Sequence, residues 1–246
     1  MRTDTVTPGT RLIALLGNGA QVVAIQLAAM PPSGLSRISS PEPAGCGYWR
    51  LAAEGRAFYT EASDHFQCPV GAIVHGIVPP PEVAAELQTL LRKMGSIGYI
   101  RPDEAAGLPH LDREPRYIAY APLAGASFAP DLILVRGSAR QLMLMAEAAQ
   151  SAGLLGDGPT LGRPTCAVLP AALQSGRMAT SLGCVGNRVY TGAADGEAYC
   201  AFPAGRLETL VTVLETIVAA NRTLEEFHRG RAAARPNGIP GQTPSP

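Results

Sequence analysis

Leu12-Ile13-Ala14-Leu15-Leu16-Gly17-Asn18-Gly19-Ala20-Gln21-Val22-Val23-Ala24-Ile25-Gln26-Leu27 opens the longest apolar stretch of the chain, which runs on to Met30. A membrane-spanning helix needs about 20 consecutive apolar residues with few polar interruptions. Here Gly17-Asn18-Gly19 breaks the run, and Gln21 and Gln26 lie within it. Leu12 to Leu16 and Val22 to Leu27 are β-compatible runs, and Asn-Gly is a favoured two-residue hairpin turn. The stretch therefore predicts an N-terminal β-hairpin and no membrane partner.

Further along, Pro79-Pro80-Pro81 precedes Val83, Leu87, Leu90, Leu91 and Met94, which share one helical face. Proline is tolerated in a helix's first turn, and Gly95 supplies a stop. Pro102 to Ala106 predicts a short helix. Tyr117 to Ala121 and Leu132 to Val135 predict strands. Ser138 is placed to cap a helix carrying Leu142, Met145, Ala146 and Ala149, ending near Gly153. Val189-Tyr190 and Ala198 to Phe202 read as extended. The clearest helix is the last, where Leu207, Leu210, Val211, Leu214, Ile217, Val218 and Leu224 keep a 3–4 spacing.

Helices and strands alternate without a regular βαβ period. The expected fold is a mixed α+β or α/β single globular domain over residues 1–228, with a long C-terminal amphipathic helix. Residues 229–246 turn to Arg, Ala, Pro and Gly and are expected to form a disordered tail.

Apolar residues make up 46% of the 246 and charged residues 16%, enough for a full core. Twenty basic residues balance twenty acidic ones, and no basic patch is visible, so nucleic acid is not an expected partner. The N-terminus lacks the charged-then-apolar layout of a secretory leader, which predicts a cytoplasmic protein. The expected partner is a small anionic molecule, with a redox protein as a second.

Five cysteines carry most of the chemistry. Cys46 lies in Ala-Gly-Cys-Gly, Cys68 in Cys-Pro-Val-Gly, Cys166 in Arg-Pro-Thr-Cys-Ala and Cys184 in Leu-Gly-Cys-Val-Gly-Asn-Arg. Thiolates hold iron–sulfur clusters, and proline directly after a ligating cysteine is a recurring context. Neighbouring glycines let main-chain N–H groups approach the sulfur. Cys46, Cys68, Cys166 and Cys184 are thus candidate ligands of a [4Fe–4S] cluster. Three ligands would leave an open iron, suited to a lyase, a reduction or sulfur chemistry. Four ligands would make an electron carrier. Buried structural thiols are the plain alternative, and a single catalytic thiol is another. Cys200, within an expected strand, reads as a packing residue.

Around these lie candidate helpers. His65, with Asp64 beside it and Cys68 three residues on, suits a general acid/base or an oriented metal ligand. The same pair could instead fix a turn. Arg188 offers a planar fork for an anion. Asn187, Gly183 and Gly186 could complete an anion-cradling nest, or the arginine could simply pair with a structural carboxylate. His75 reads as a core residue, and His110 and His228 as loop and surface residues. The glycines at 153, 156, 158 and 162 lack the lysine-hydroxyl ending of a phosphate loop. Ser175-Gly176-Arg177 is a weaker anion candidate.

Three segments together carry a resemblance. They are Asp64-His65-Phe66-Gln67-Cys68-Pro69-Val70-Gly71-Ala72, Arg116-Tyr117-Ile118-Ala119-Tyr120-Ala121-Pro122-Leu123 and Ser181-Leu182-Gly183-Cys184-Val185-Gly186-Asn187-Arg188-Val189-Tyr190-Thr191-Gly192. With them the chain resembles the uncharacterised prokaryotic family known as domain of unknown function 169, from roughly Leu12 to Arg231. The resemblance implies a bacterial or archaeal family with many anaerobic members. It speaks to the extent of the domain rather than to a mechanism.

Overall fold

The structure is a computed structural model that describes residues 6–112, 114–158 and 161–233. In chain order it runs α1 (Val6–Leu16), β1 (Gln21–Ala28), α2 (Gly45–Ala53), β2 (Phe58–Glu61) and α3 (Pro69–Val74). Next come α4 (Pro81–Ser96), α5 (Pro102–Ala106), β3 (Tyr117–Pro122), β4 (Leu132–Ser138) and α6 (Ala139–Ser151). The chain ends with α7 (Val168–Ser175), β5 (Ala179–Ser181), α8 (Val185–Thr191), β6 (Glu197–Pro203) and α9 (Leu207–Ala233). The six strands form one sheet in the order β2-β3-β1-β4-β6-β5, and each neighbouring pair is antiparallel. This is a mixed α+β fold.

The expected hairpin is not what forms. Leu12 to Leu16 belongs to helix α1, with Leu12 and Leu16 buried one turn apart. Both edges of β1 are already taken: Ile25 pairs with Tyr120 of β3 and with Leu132 of β4. The Gln141 amide donates to the Leu16 and Asn18 carbonyls, so the end of α1 is tied to α6 rather than to a second strand. Arg11 reaches from α1 to Glu208 and Glu215 of α9 and fixes the helix from its outer side. A five-residue apolar run fits either period, and here the helix wins because its partners are remote in sequence.

The sheet divides two cores by strand alternation. Val23 and Ile25 of β1, Leu132 and Leu134 of β4, and Tyr199 and Ala201 of β6 face α2 and α7. Val22 and Ala24, Ile133 and Val135, and Cys200 and Phe202 face α1, α6 and α9 on the other side. Each fully buried aliphatic or Phe side chain contributes roughly 1.5–3 kcal/mol. Ser138 caps α6 as the sequence predicts: its hydroxyl accepts from Gln141 N, and the Gln141 side-chain oxygen accepts from Ser138 N.

Two further boundaries differ from expectation. Val189 and Tyr190 are helical, inside α8, because Cys184 caps that helix and the Thr191 hydroxyl bonds back to the Asn187 carbonyl. Helix α9 continues through Ala233, so residues 229–233 of the expected tail are helical, and 234–246 lie outside the described residues. No described helix is long and apolar enough to cross a membrane.

Candidate functional site

Cys46, Cys68, Cys166 and Cys184 all line one cavity of about 310 Å³. They reach it from four separate segments on the same face of the sheet. Cys46 opens α2, Cys68 stands immediately before α3, Cys166 lies in the single 3₁₀ turn leading into α7, and Cys184 caps α8. Cys200 is fully buried in β6 on the opposite face, within the core of α6 and α9.

Local chemistry explains each placement. Cys68 N donates to the His65 carbonyl at 3.0 Å, and Pro69 starts α3 without needing an N–H partner. A side chain at position 71 would begin 3.0 Å from Cys68 Sγ, so Gly71 keeps that sulfur uncovered. Gly183 adopts φ +85, the left-handed region that favours glycine, and so turns Cys184 inward. Cys184 N donates to Thr165 Oγ1 at 2.6 Å, which ties the Cys184 cap to the Cys166 turn. Cys184 Sγ accepts a hydrogen bond from Asn187 N at 3.4 Å.

Burial pushes the Cys46 thiol up to about 12; the Asn187 amide pulls the other way, and Cys68 and Cys184 add to the rise. Cys166 is held well above its usual range by burial first, then by Cys68, Cys46 and Cys184. The four sulfurs therefore feel one another. Without a cation to share, the two buried members stay protonated thiols. Among the described residues no carboxylate lines the cavity, and Arg163 is its one charged lining residue. Among the described residues no three His, Cys, Asp or Glu side chains are grouped to hold a single metal ion. A lone tetrahedral zinc would need sulfurs about 2.3 Å from one point.

The helpers take different places. Asp64 does not orient His65: its carboxylate accepts two bonds from Arg37, at 3.0 and 2.8 Å, and one from Glu61 N at 2.8 Å. It fixes the turn before Cys68, the alternative weighed for this pair. His65 is buried, with Nε2 2.9 Å from Thr60 Oγ1. The Thr60 hydroxyl donates to the Ile118 carbonyl, so its lone pair is available to an Nε2–H, and Nδ1 is the bare nitrogen. Among the described residues no hydrogen bond joins the His65 ring to the Cys68 thiol; the two residues are linked only through the main chain. His75 lies 5.6 Å from His65, ring to ring, and is equally buried. A Cβ on Gly45 would lie 3.6 Å from His65 Nδ1 and 3.7 Å from His75 Cε1, so both rings sit directly under the start of α2.

Arg188 faces away from this cavity. Its guanidinium donates to the carbonyls of Ala194, Leu182 and Glu197, at 2.6, 2.6 and 3.2 Å, and braces the loop around α8. Its neighbours Asn187 and Gly186 do line the cavity. Arg177 pairs with Asp157, far from the cysteines in function. A second, wider cavity of about 590 Å³ is lined by Asp112, Asp131 and Gln174 among others. Two of its polar groups serve the frame: Asp131 accepts from Leu27 N, and Gln174 donates to the His110 carbonyl.

One further feature marks the region. The buried side-chain atoms without a well-formed hydrogen bond belong, among the described residues, to Trp49, His65, His75, Tyr120 and Asn187. Trp49 is part of α2, and the others pack around it or beside the Cys46 thiol. Unpaired buried polar atoms are few in folded proteins, and a cluster of them marks a place where a polar guest or water is expected. Asn187 is a candidate from the sequence that the cavity includes, whereas Arg163 lines the cavity without a sequence signal. Arg163 sits in a Gly-Pro loop with no motif around it.

A family model described as "Uncharacterised ArCR", DUF169, matches residues 11–213. No curated protein matches the chain, and no solved structure does.

Proposed function

The chain belongs to the uncharacterised DUF169 family, and we propose that its four-cysteine cavity holds a [4Fe–4S] cluster serving electron transfer to a small anionic molecule or a redox partner. The carrying observation is that Cys46, Cys68, Cys166 and Cys184 line a single cavity while Cys200 does not. The residues present fit such a group. A cuboidal cluster places each thiolate on a different iron, so its ligands stand farther apart than those of one ion. Among the described residues the lining carries no carboxylate to repel an anionic cluster, and Asn187 N already donates to the Cys184 sulfur.

When bound, the cluster would supply one-electron chemistry. The protein's own residues do the rest. Cys46 and Cys166, both deeply buried, anchor the inner end and keep water from it. The N–H donors and the Asn187 amide offset negative charge on sulfur, which sets the potential. His65 and His75, neutral and buried below α2, add no positive charge behind the site. A reducing cytoplasm suits free thiols of this kind.

Four thiols in one cavity favour a fully ligated cluster, and thus an electron carrier, over an open iron. A second reading has its own observation: Leu90, Leu91, Met94 and Ile100 make the cavity walls apolar, as in a binding module for a small molecule. On that reading serine replacements at Cys68 and Cys184 leave ligand binding intact. Thiol catalysis by Cys68 with His65 lacks, among the described residues, a hydrogen bond between the thiol and the imidazole.

Anaerobic reconstitution with ferrous iron and sulfide, followed by iron and acid-labile sulfide analysis, tests the cluster. Brown protein with about four of each per chain is expected. A colourless, iron-free protein would contradict it.

A further inference from the structure

We propose that the outer half of the four-cysteine cavity binds a carboxylate with an apolar body, its head group held by Arg163. The inference rests on the reading of this cavity as the reactive site and names the ligand class that site takes. Burial grades the lining. Cys46 and Cys166 are 8% exposed, whereas Arg163 keeps 42% of its side chain open. The cysteines therefore mark the inner end, and Arg163 the mouth.

The mouth carries an ion pair, Arg163 with Glu104, and of the two only Arg163 lines the cavity among the described residues. Arg163 is posed: Nη2 donates to Glu104 at 3.0 Å, and the guanidinium lies 4.9 Å from the centre of the Tyr99 ring. Glu104 is itself fixed by accepting from Arg101 N. The remaining Arg163 nitrogens make no hydrogen bond among the described residues, so part of the fork is free for a second carboxylate. The wall beside it comes from Leu90, Leu91 and Met94 of α4, with Ile100. These side chains offer nothing to a polar body such as a sugar or a phosphate ester. They match an aliphatic or aromatic one. Asn187, buried beside the Cys46 thiol, lines the same cavity deeper in.

The test uses full-length protein, before and after anaerobic reconstitution. The probe is 8-anilinonaphthalene-1-sulfonate, an aromatic anion that fluoresces in apolar sites, displaced by decanoate or by decanol. Decanoate is expected to displace it at about tenfold lower concentration than decanol. Arg163→Gln removes that preference, Arg163→Lys keeps part of it, and circular dichroism checks that both variants are folded. Failure of the probe to bind, equal displacement by decanol, or a preference that survives Arg163→Gln overturns the proposal. Should the variants not fold, the comparison of decanoate with decanol on the unmodified protein still decides. Iron analysis reports separately: iron-loaded protein without the preference sinks the ligand class alone. Iron-free protein with the preference sinks the cluster alone.

Discussion

Cys46→Ser and Cys166→Ser are each expected to cut the iron retained after anaerobic reconstitution from about four per chain to below one. Both thiols line the four-cysteine cavity, and both are nearly buried, so no water-borne ligand can readily take their place. Cys68→Ser and Cys184→Ser should lose most of the iron as well, since they line the same cavity. Cys200→Ala is the control. Cys200 packs against α6 and α9 on the far side of the sheet, and its loss should leave the iron content unchanged. Binding to the folded state alone also adds stability by mass action. The loaded wild type should therefore melt above its iron-free form, and Cys166→Ser should lose that difference. Equal iron in Cys166→Ser and Cys200→Ala would contradict the account.

The second large effect is on acid stability. Burial lowers the pKa of His75 to about 4, partly opposed by a main-chain hydrogen bond at Gly71, and that of His65 falls well below its usual range, through burial and the nearby His75. In the unfolded chain a histidine takes its proton near pH 6.5. Between that pH and about 4 the unfolded state binds a proton that folded His75 refuses. The stability contribution is full above pH 6.5 and is lost as the pH falls toward 4. For His75 alone the loss is roughly 3 kcal/mol, and His65 acts in the same direction. Urea midpoints measured from pH 7.5 to pH 4 should fall accordingly. His75→Leu, with His75→Gln as a second variant, should flatten the fall. An unchanged slope in both variants would show that the acid loss comes from elsewhere.

Much of the frame was legible because it is local. Helices α4, α5, α6 and α9 announce themselves through proline starts, a serine cap and apolar spacing. His75 reads as a core residue from its glycine-flanked apolar surroundings, and it is buried. Leu12 to Leu16 reads as a strand from sequence because Asn18-Gly19 invites a hairpin. The true constraint is the pairing of β1 with β3 and β4, about a hundred residues away. Val189 and Tyr190 read as extended from sequence because the helix-capping role of Cys184 depends on a sulfur accepting from Asn187 N. At the site, glycine near Cys46, Cys68 and Cys184 and proline shortly before Cys166 single out the four cysteines that line one cavity. What the residues could not say was which helpers face the cavity. Asp64 is committed to Arg37, which lies 27 positions earlier, and Arg188 to three carbonyls. Arg163 carries no motif, and only the packing of α4 and α5 against its loop places it at the mouth.

Native mass spectrometry of the chain purified without oxygen tests the central claim most directly. The account predicts a folded species heavier than the polypeptide by one Fe₄S₄ unit, with that increment gone in Cys166→Ser and retained in Cys200→Ala. A polypeptide of unmodified mass, both as purified and after reconstitution with iron and sulfide, would contradict it.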